Sequence, residues 1–369
     1  MFKSISFVTA HYRAIGQQGG QRSRFMHEVA CQVLESNVLC PDVDSLSGLK
    51  VNSEGVEGVT RVNCPTFPTR SLFPRLISQL VFGLKLLVIK SDKSTLYVLN
   101  NNPVISYLLL GIKYNCLGIK YVLDVRDYPL HLIFSKYRYL SYPLKCIDRF
   151  IIGNRHGSIS VTNGLRNVLN LSRAHDFVVE LGTDTNSFIS PSPGGYKPMH
   201  CANLVYVGSL NNYFELSGLC SWLEEHNFKG TLDYYGWSST SSLVKYGFFN
   251  DKGSTSKDSL HSLLSRYDYG IFATRSDPSS SYLLGNKVFD YISSGIPILY
   301  FGNLDTTAFN FISTKNVGLC IDAASGYSRV PEAFCIENFE SVQLEYCRSG
   351  VDNKLLSAFK SLIGVNAVD

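Results

Sequence analysis

Short apolar segments alternate with longer helical ones along this chain, and the alternation runs twice with a break between. In the first run, strands are expected at Ser4–Ala10, Asn37–Cys40, Thr95–Leu99, Lys120–Leu123, Ser158–Val161 and Phe177–Glu180. Helices fit between them, at 22–35, 75–90, 103–116, 137–153 and 163–171; Phe25, Val29 and Val33 show the one-face spacing in the first. A turn-rich stretch follows from Gly182 to Pro198, with Pro191, Pro193, Gly194 and Gly195. The second run then places strands at Asn203–Val207, Thr231–Tyr235, Tyr269–Phe272, Pro297–Tyr300 and Val317–Ile321, with helices at 216–227, 258–266, 287–294, 305–313, 338–347 and 352–363. Such alternation builds βαβ units, with parallel strands under helices. Two runs joined by a Pro/Gly-rich linker imply an α/β protein of two doubly wound, Rossmann-like parallel-sheet domains facing a cleft. Ligands of such sheets bind outside the carboxyl ends of the strands, so the loops after the strands are the places to look.

Composition narrows the class. With 369 residues, 45% of them hydrophobic, the chain can bury a core in two domains and is neither disordered nor fibrous. Its ten cysteines include no two that stand two or three residues apart, so no zinc or redox pair is expected. Met1-Phe2-Lys3 leads into a strand, not an apolar leader, and the cysteines read as reduced thiols of a cytoplasmic protein. The most apolar run, Leu76 to Ile89, has 14 residues and contains Gln79 and Lys85, against the ~20 a membrane span needs. Charge is uneven: residues 1–185 hold 21 Lys/Arg and 13 Asp/Glu, a net of +8, and the remainder is net −4. An anionic ligand or surface is implied for the first half. No basic block or RNA-binding signature points to nucleic acid.

Four loops carry chemistry. His11 to Gln21 is Gly-rich and opens a helix containing Arg22 and Arg24. Free N–H groups there can hold an anion, or Arg24 can simply pair with Glu28. No dinucleotide or P-loop fingerprint is present. Asp124-Val-Arg126-Asp127-Tyr-Pro129 follows an apolar strand. Asp127 there can orient or deprotonate a hydroxyl, or either aspartate can cap a helix or pair with Arg126. Gly182-Thr-Asp-Thr-Asn-Ser-Phe188 is an Asx-type turn. The fourth loop runs from Arg275 to Asn286-Lys287-Val-Phe-Asp290-Tyr-Ile-Ser-Ser-Gly295-Ile-Pro297. Asn286 reads as an N-cap and Gly295 as a helix stop. Lys287 in a first turn opposes the helix dipole unless an anion docks there, and Asp290 one turn on can accept from a ribose diol.

The order of these segments resembles the family-4 glycosyltransferases of the GT-B fold, especially bacterial enzymes that build surface polysaccharides such as O-antigen or capsule. The matching segments are Gly19-Gly20-x-x-x-Arg24, Val125-Arg-Asp-Tyr-Pro129, Gly182–Phe188, Val205-Tyr-Val-Gly208-Ser-Leu210 and Asn286–Ile298, across about residues 5–325. The resemblance implies an acceptor-binding domain over 1–187, a donor-binding domain over 188–349, and a terminal helix at about 350–369 packing back on the first. It implies a nucleotide-sugar co-substrate, a lipid-linked saccharide acceptor, retention, and no metal or other cofactor. Carried onto this sequence, Asp290 would hold the nucleotide ribose, with Lys287, Arg275, Asn286, Gly19, Gly20, Arg22 and Gly208 around the donor. Asp127 with Arg126 and His131 would serve the acceptor, and Asp127 and Lys287 the chemistry. Two departures stand out: Tyr282 occupies the place of the family's first Glu, and Ser209–Glu215 lacks the usual cations.

Those departures keep a non-catalytic sugar-nucleotide-binding or scaffold subunit open as an alternative, beside a GT-B sugar-nucleotide epimerase. Basic and aromatic residues interleave at Arg70–Lys90 and Phe134–Lys145. They suit peripheral attachment to an anionic membrane at the inner face, and equally a buried helix with a solvated rim.

Overall fold

The computed structural model describes residues 2–10, 12, 21–44, 47–51, 57–68, 72–101, 104–126, 138–183, 185, 188–191, 197–210, 214–256, 259–275, 278–325, 328–329 and 336–364. The chain divides into two units, Met1–Val179 with Asp352–Asp369, and Glu180–Val351.

The first unit is a seven-stranded parallel sheet in the order β3-β2-β1-β4-β5-β6-β7. Its strands are β1 (Ser4–Val8), β2 (Glu35–Pro41), β3 (Val59–Val62), β4 (Thr95–Asn100), β5 (Tyr121–Val125), β6 (Gly157–Ser160) and β7 (Asp176–Val178). The central strands β4 and β5 are buried along their whole length, which is why they read as continuous apolar runs rather than alternating ones. Helices Leu72–Val88, Val104–Leu117 and Arg138–Asn154 pack side by side. Glycines allow that approach: a Cβ on Gly83 would meet Leu109 at 2.9 Å, and one on Gly111 would meet Ile151 at 2.7 Å. Phe7 of β1 meets His27 of helix Gln21–Ala30 and Phe359 of the terminal helix Arg348–Ile363, each at 6.0 Å. Residues 352–369 therefore belong to the first unit although they follow the second in sequence.

The second unit repeats the plan in the order β10-β9-β8-β11-β12-β13-β14. The strands are β8 (Asn203–Val207), β9 (Thr231–Tyr235), β10 (Phe249–Asp251), β11 (Tyr269–Ala273), β12 (Ile298–Gly302), β13 (Gly318–Asp322) and β14 (Ser328–Arg329). Six are parallel, and β14 pairs antiparallel with β13 at the edge. Two apolar cores sandwich the sheet, one around Phe289, Tyr291 and Phe339 and one around Leu219, Tyr234 and Ile271. The doubly wound α/β class expected from the sequence is thus the observed one.

The structure corrects the sequence reading locally. The short strands β3, β10 and β14 were not expected. The first helix stops at Ala30 instead of 35, because Gln32 and Val33 turn back onto Val29 and Ala30 and Glu35 already pairs with Ser4. The helix expected over 163–171 ends at Val168, with Leu169 as its C-cap.

Candidate functional site

In the second sheet the winding reverses between β8 and β11, the place where open α/β sheets form a binding crevice. Strand β8 ends at Val207, and Gly208 follows with φ +114°, a backbone that residues with a Cβ rarely adopt. Phe214 bridges to Thr274, which draws the loops after β8 and β11 together. Helix Asn286–Ser293 lies between β11 and β12. Its N-cap is Gly285, extended at ψ 157° and without a side chain of its own to cap the helix; Asn286 is the first helical residue, so the expected Asn286 cap is not formed. Gly295 closes the far end at φ +72°, as its sequence position implied.

Lys287, one residue into that helix, lays its side chain across the switch point. Its Nζ donates to the Tyr206 hydroxyl at 2.5 Å and lies 3.8 Å from the Tyr206 ring centre and 4.1 Å from that of Phe214. Phe272 of β11 is third in the cage at 5.9 Å. A Cβ on Gly208 would sit 3.7 Å from the same ammonium, so the Gly208 backbone and Lys287 share one spot. Ring faces attract a cation but solvate it less well than water. Burial accordingly pushes the ammonium down to about 7, and the negative charge of Asp290 one turn on works against that shift. Burial also holds the Tyr206 phenol well above its ordinary range, so it stays neutral and passes its own hydrogen to the Ser209 carbonyl at 3.1 Å. Arg275 pairs with Glu215 at 3.2 Å on the surface of the same loops.

The first unit has its own reversal, between β1 and β4. Asp124, at the end of β5, is 1% exposed and is gripped by two guanidiniums. Arg22 Nε lies 2.9 Å from its Oδ1 and Arg126 Nε 2.5 Å from its Oδ2. Arg22 also donates to the Val179 carbonyl at 2.7 Å, and Arg126 to the Ser23 hydroxyl at 2.8 Å. One carboxylate against two guanidiniums leaves the cluster net positive. With both oxygens engaged, Asp124 is a positioning anion and not a free base. Arg24 pairs with Glu28 at 3.4 Å.

The structure therefore brings Gly208, Lys287, Asp290 and Asn286 to one switch point, with Arg275 beside it, and Arg22 and Arg126 to the other. Gly19, Gly20, Asp127 and His131 lie outside the described residues. The sequence reading missed the ring cage of Tyr206, Phe214 and Phe272, because each alone looks like a core aromatic. It also missed that Arg22 and Arg126 share Asp124.

No protein-family model matches the sequence, and no curated protein sequence matches it. Solved structures do match. The lipopolysaccharide outer core galactosyltransferase WaaB, in its apo form, aligns over 98% of this chain and 99% of its own, with TM-score 0.58 and 13% identity. HepE of Anabaena in complex with UDP aligns over 99% and 97%, with TM-score 0.56 and 11% identity. The same protein with UDP-glucose aligns over 98% and 97%, with TM-score 0.53 and 12% identity. At these identities the likeness is one of fold, and the fold is GT-B.

Proposed function

We propose that this chain is a glycosyltransferase that binds a nucleotide-sugar at the β8/β11 switch point and transfers the sugar to a saccharide acceptor. The observation that carries the reading is the Lys287 ammonium, held beside the Gly208 backbone at the start of a helix whose N-cap is a glycine. Uncapped N–H groups and an adjacent cation together make an anion site. In transfer, the bond from the anomeric carbon to the diphosphate oxygen breaks and the acceptor oxygen bonds to that carbon. The acceptor's proton passes to the departing phosphate, and nucleoside diphosphate leaves. Lys287 and the N–H groups stabilise the charge growing on that oxygen. Asp290 takes the ribose hydroxyls. Asp127 and His131, after β5 in sequence, orient the acceptor hydroxyl, with Arg126 and its anionic partner Asp124 as the fixed floor. The course proposed is a front-face displacement with retention and without a metal.

The donor to test first is a UDP-sugar, since a fold neighbour is recorded with UDP-glucose. The acceptor class to test first is a lipid-linked or surface-polysaccharide saccharide, since another neighbour is named for lipopolysaccharide. Melting is followed with UDP, GDP, CMP and their sugars. A ligand at about 100 times its Kd stabilises by about 2.7 kcal/mol. A shift with one nucleotide class, lost in Lys287→Ala and Asp290→Ala, is the expected result; no shift with any nucleotide overturns the donor site. A second reading, a non-catalytic binding subunit, is favoured by Tyr282 in the place of an acidic residue and by the cation-free Ser209–Glu215. Donor binding without sugar transfer or donor hydrolysis would select it.

A further inference from the structure

We infer that Trp237 is the platform on which the nucleobase of the donor stacks, so that the base adds affinity of its own beside the diphosphate. The inference rests on the nucleotide-sugar reading of the β8/β11 switch point. The sequence holds two tryptophans. Trp222 is stacked on His226, with ring centres 3.9 Å apart, and packs against the core of the second unit. Trp237, two residues past the end of β9, is 68% exposed. Among the described residues no ring or cation stacks on it. A single exposed apolar side chain needs no explanation. What sets this one apart is how its backbone is held, and beside what.

Both neighbours of Trp237 are pinned to the turn that carries Gly208. A Cβ on Gly236 would run into the Gly208 carbonyl oxygen and the Tyr234 hydroxyl, so only glycine lets the two turns come this close. Ser238 Oγ accepts from the Leu210 N–H at 2.8 Å and donates to the Leu210 carbonyl at 2.9 Å. The Ser238 N–H donates to the Tyr234 hydroxyl at 3.0 Å. Gly208 in turn shares its spot with the Lys287 ammonium, 3.7 Å from where its Cβ would be. The indole is therefore mounted on ordered backbone at the anion site, and a partner that stacks on it has little left to order. The Gly236 N–H donates to the Gly253 carbonyl at 2.8 Å, which ties the loop after β10 into the same rim. That loop offers the hydroxyls of Thr255 and Ser256, 3.2 and 2.8 Å from the Ser259 hydroxyl. The strand order β10-β9-β8-β11 sets these groups in one row along the carboxyl edge of the sheet. The cation comes after β8, the ring after β9 and the hydroxyls after β10. A nucleotide presents the matching groups: a diphosphate, the π face of a base, and the hydrogen-bonding edge of that base.

The test follows tryptophan emission of the full chain with Trp222→Phe, which leaves Trp237 as the one indole. The ligands are UDP, GDP and CDP, with pyrophosphate and glucose 1-phosphate as probes that lack a base. Melting is read in the same samples. A nucleotide that raises the melting temperature is expected to quench the emission over the same concentration range, and the two baseless probes to leave it unchanged. Trp237→Ala should weaken nucleotide binding about tenfold or more, the size of a base–aromatic stack, without weakening pyrophosphate. Trp237→Phe should recover part of the loss. A melting shift without quenching, quenching by glucose 1-phosphate, or nucleotide binding unchanged in Trp237→Ala overturns the inference and leaves the donor site standing. No melting shift with any nucleotide overturns the donor reading itself, and the inference with it.

Discussion

Lys287 makes the proposed donor site depend on pH in a direction that can be worked out. The ammonium of the empty site titrates near 7 because its aromatic cage solvates it poorly, Asp290 notwithstanding. A diphosphate beside Nζ favours the charged form, so binding a nucleotide-sugar takes up a proton wherever the empty site has lost it. The fraction of empty sites already charged falls about tenfold for each pH unit above 7. Between pH 6 and pH 8.5 donor affinity should therefore fall about 30-fold, or about 2 kcal/mol at 1.36 kcal/mol per unit. Tyr206, the titratable group in contact, stays neutral over this range. A UDP-sugar suits the assay because its pyrophosphate remains ionised throughout. Calorimetry in two buffers of different ionisation enthalpy reads the proton directly, with uptake approaching about one proton at pH 8 and beyond. Lys287→Met should bind weakly and lose the slope. Tyr206→Phe removes the hydroxyl that accepts from Nζ and should shift the slope along the pH axis. A flat affinity from pH 6 to 8.5, or proton release on binding, would refute the reasoning.

Two further predictions concern stability. Asp176 is fully buried and accepts from Arg155 Nε at 3.0 Å, a second time from the Arg155 terminal nitrogen, and from the Ser158 hydroxyl at 2.7 Å. Asp176→Ala leaves that guanidinium uncompensated and should cost about 3–5 kcal/mol in urea unfolding. Burial pushes the Asp176 carboxyl up, but hydrogen bonds from Arg155, Ser158 and the Arg173 N–H outweigh it and hold it below its usual range. Its contribution is thus present above the unfolded value near ~3.9 and is lost as pH falls through the depressed native one. Acid unfolding of Asp176→Asn should show less of that loss. Phe359→Ala empties a fully buried site against Phe7 and should cost about 3–5 kcal/mol, read as a lower melting temperature. An effect below about 1 kcal/mol would mean that the terminal helix is not part of the first unit's core.

What was legible in the chain follows from what each segment needs for its identity. The strands β1, β4, β5, β8, β11 and β12 are largely buried on both faces and therefore mostly apolar, so they stand out without knowledge of their neighbours. The strands β3, β10 and β14 have two to four residues and lie toward the sheet edges. They are strands because a partner offers hydrogen bonds, and Thr60 or Asn250 says nothing of that in sequence. Val33 keeps the apolar spacing of the first helix past its end, and periodicity alone cannot see the turn that Cys31 to Leu34 make.

The sites divide in the same way. Lys287 and Asp290 were legible because helix Asn286–Ser293 is punctuated locally, by Gly295 at its end and by Asn286, read one residue late as its cap, and because its first turn is odd for a lysine. The cage was not, because Tyr206, Phe214 and Phe272 come from three segments that meet only when β8 pairs with β11. Arg22 and Asp124 are 102 residues apart, and their pair exists because the winding reverses between β1 and β4. A strand end can be read from its own residues; which strand ends meet is a property of the topology. The two reversals thereby gather cations of two different kinds on the same architecture. In the first unit Asp124 is held between the Arg22 and Arg126 guanidiniums, so that floor is fixed by ion pairs already made. In the second the cation is a lysine among rings whose charge is near balance, so it is fixed only when an anion arrives. In the proposed transfer one partner is held through the reaction and a diphosphate is released after it, and the pH slope of donor binding is where the difference between the two cations becomes measurable.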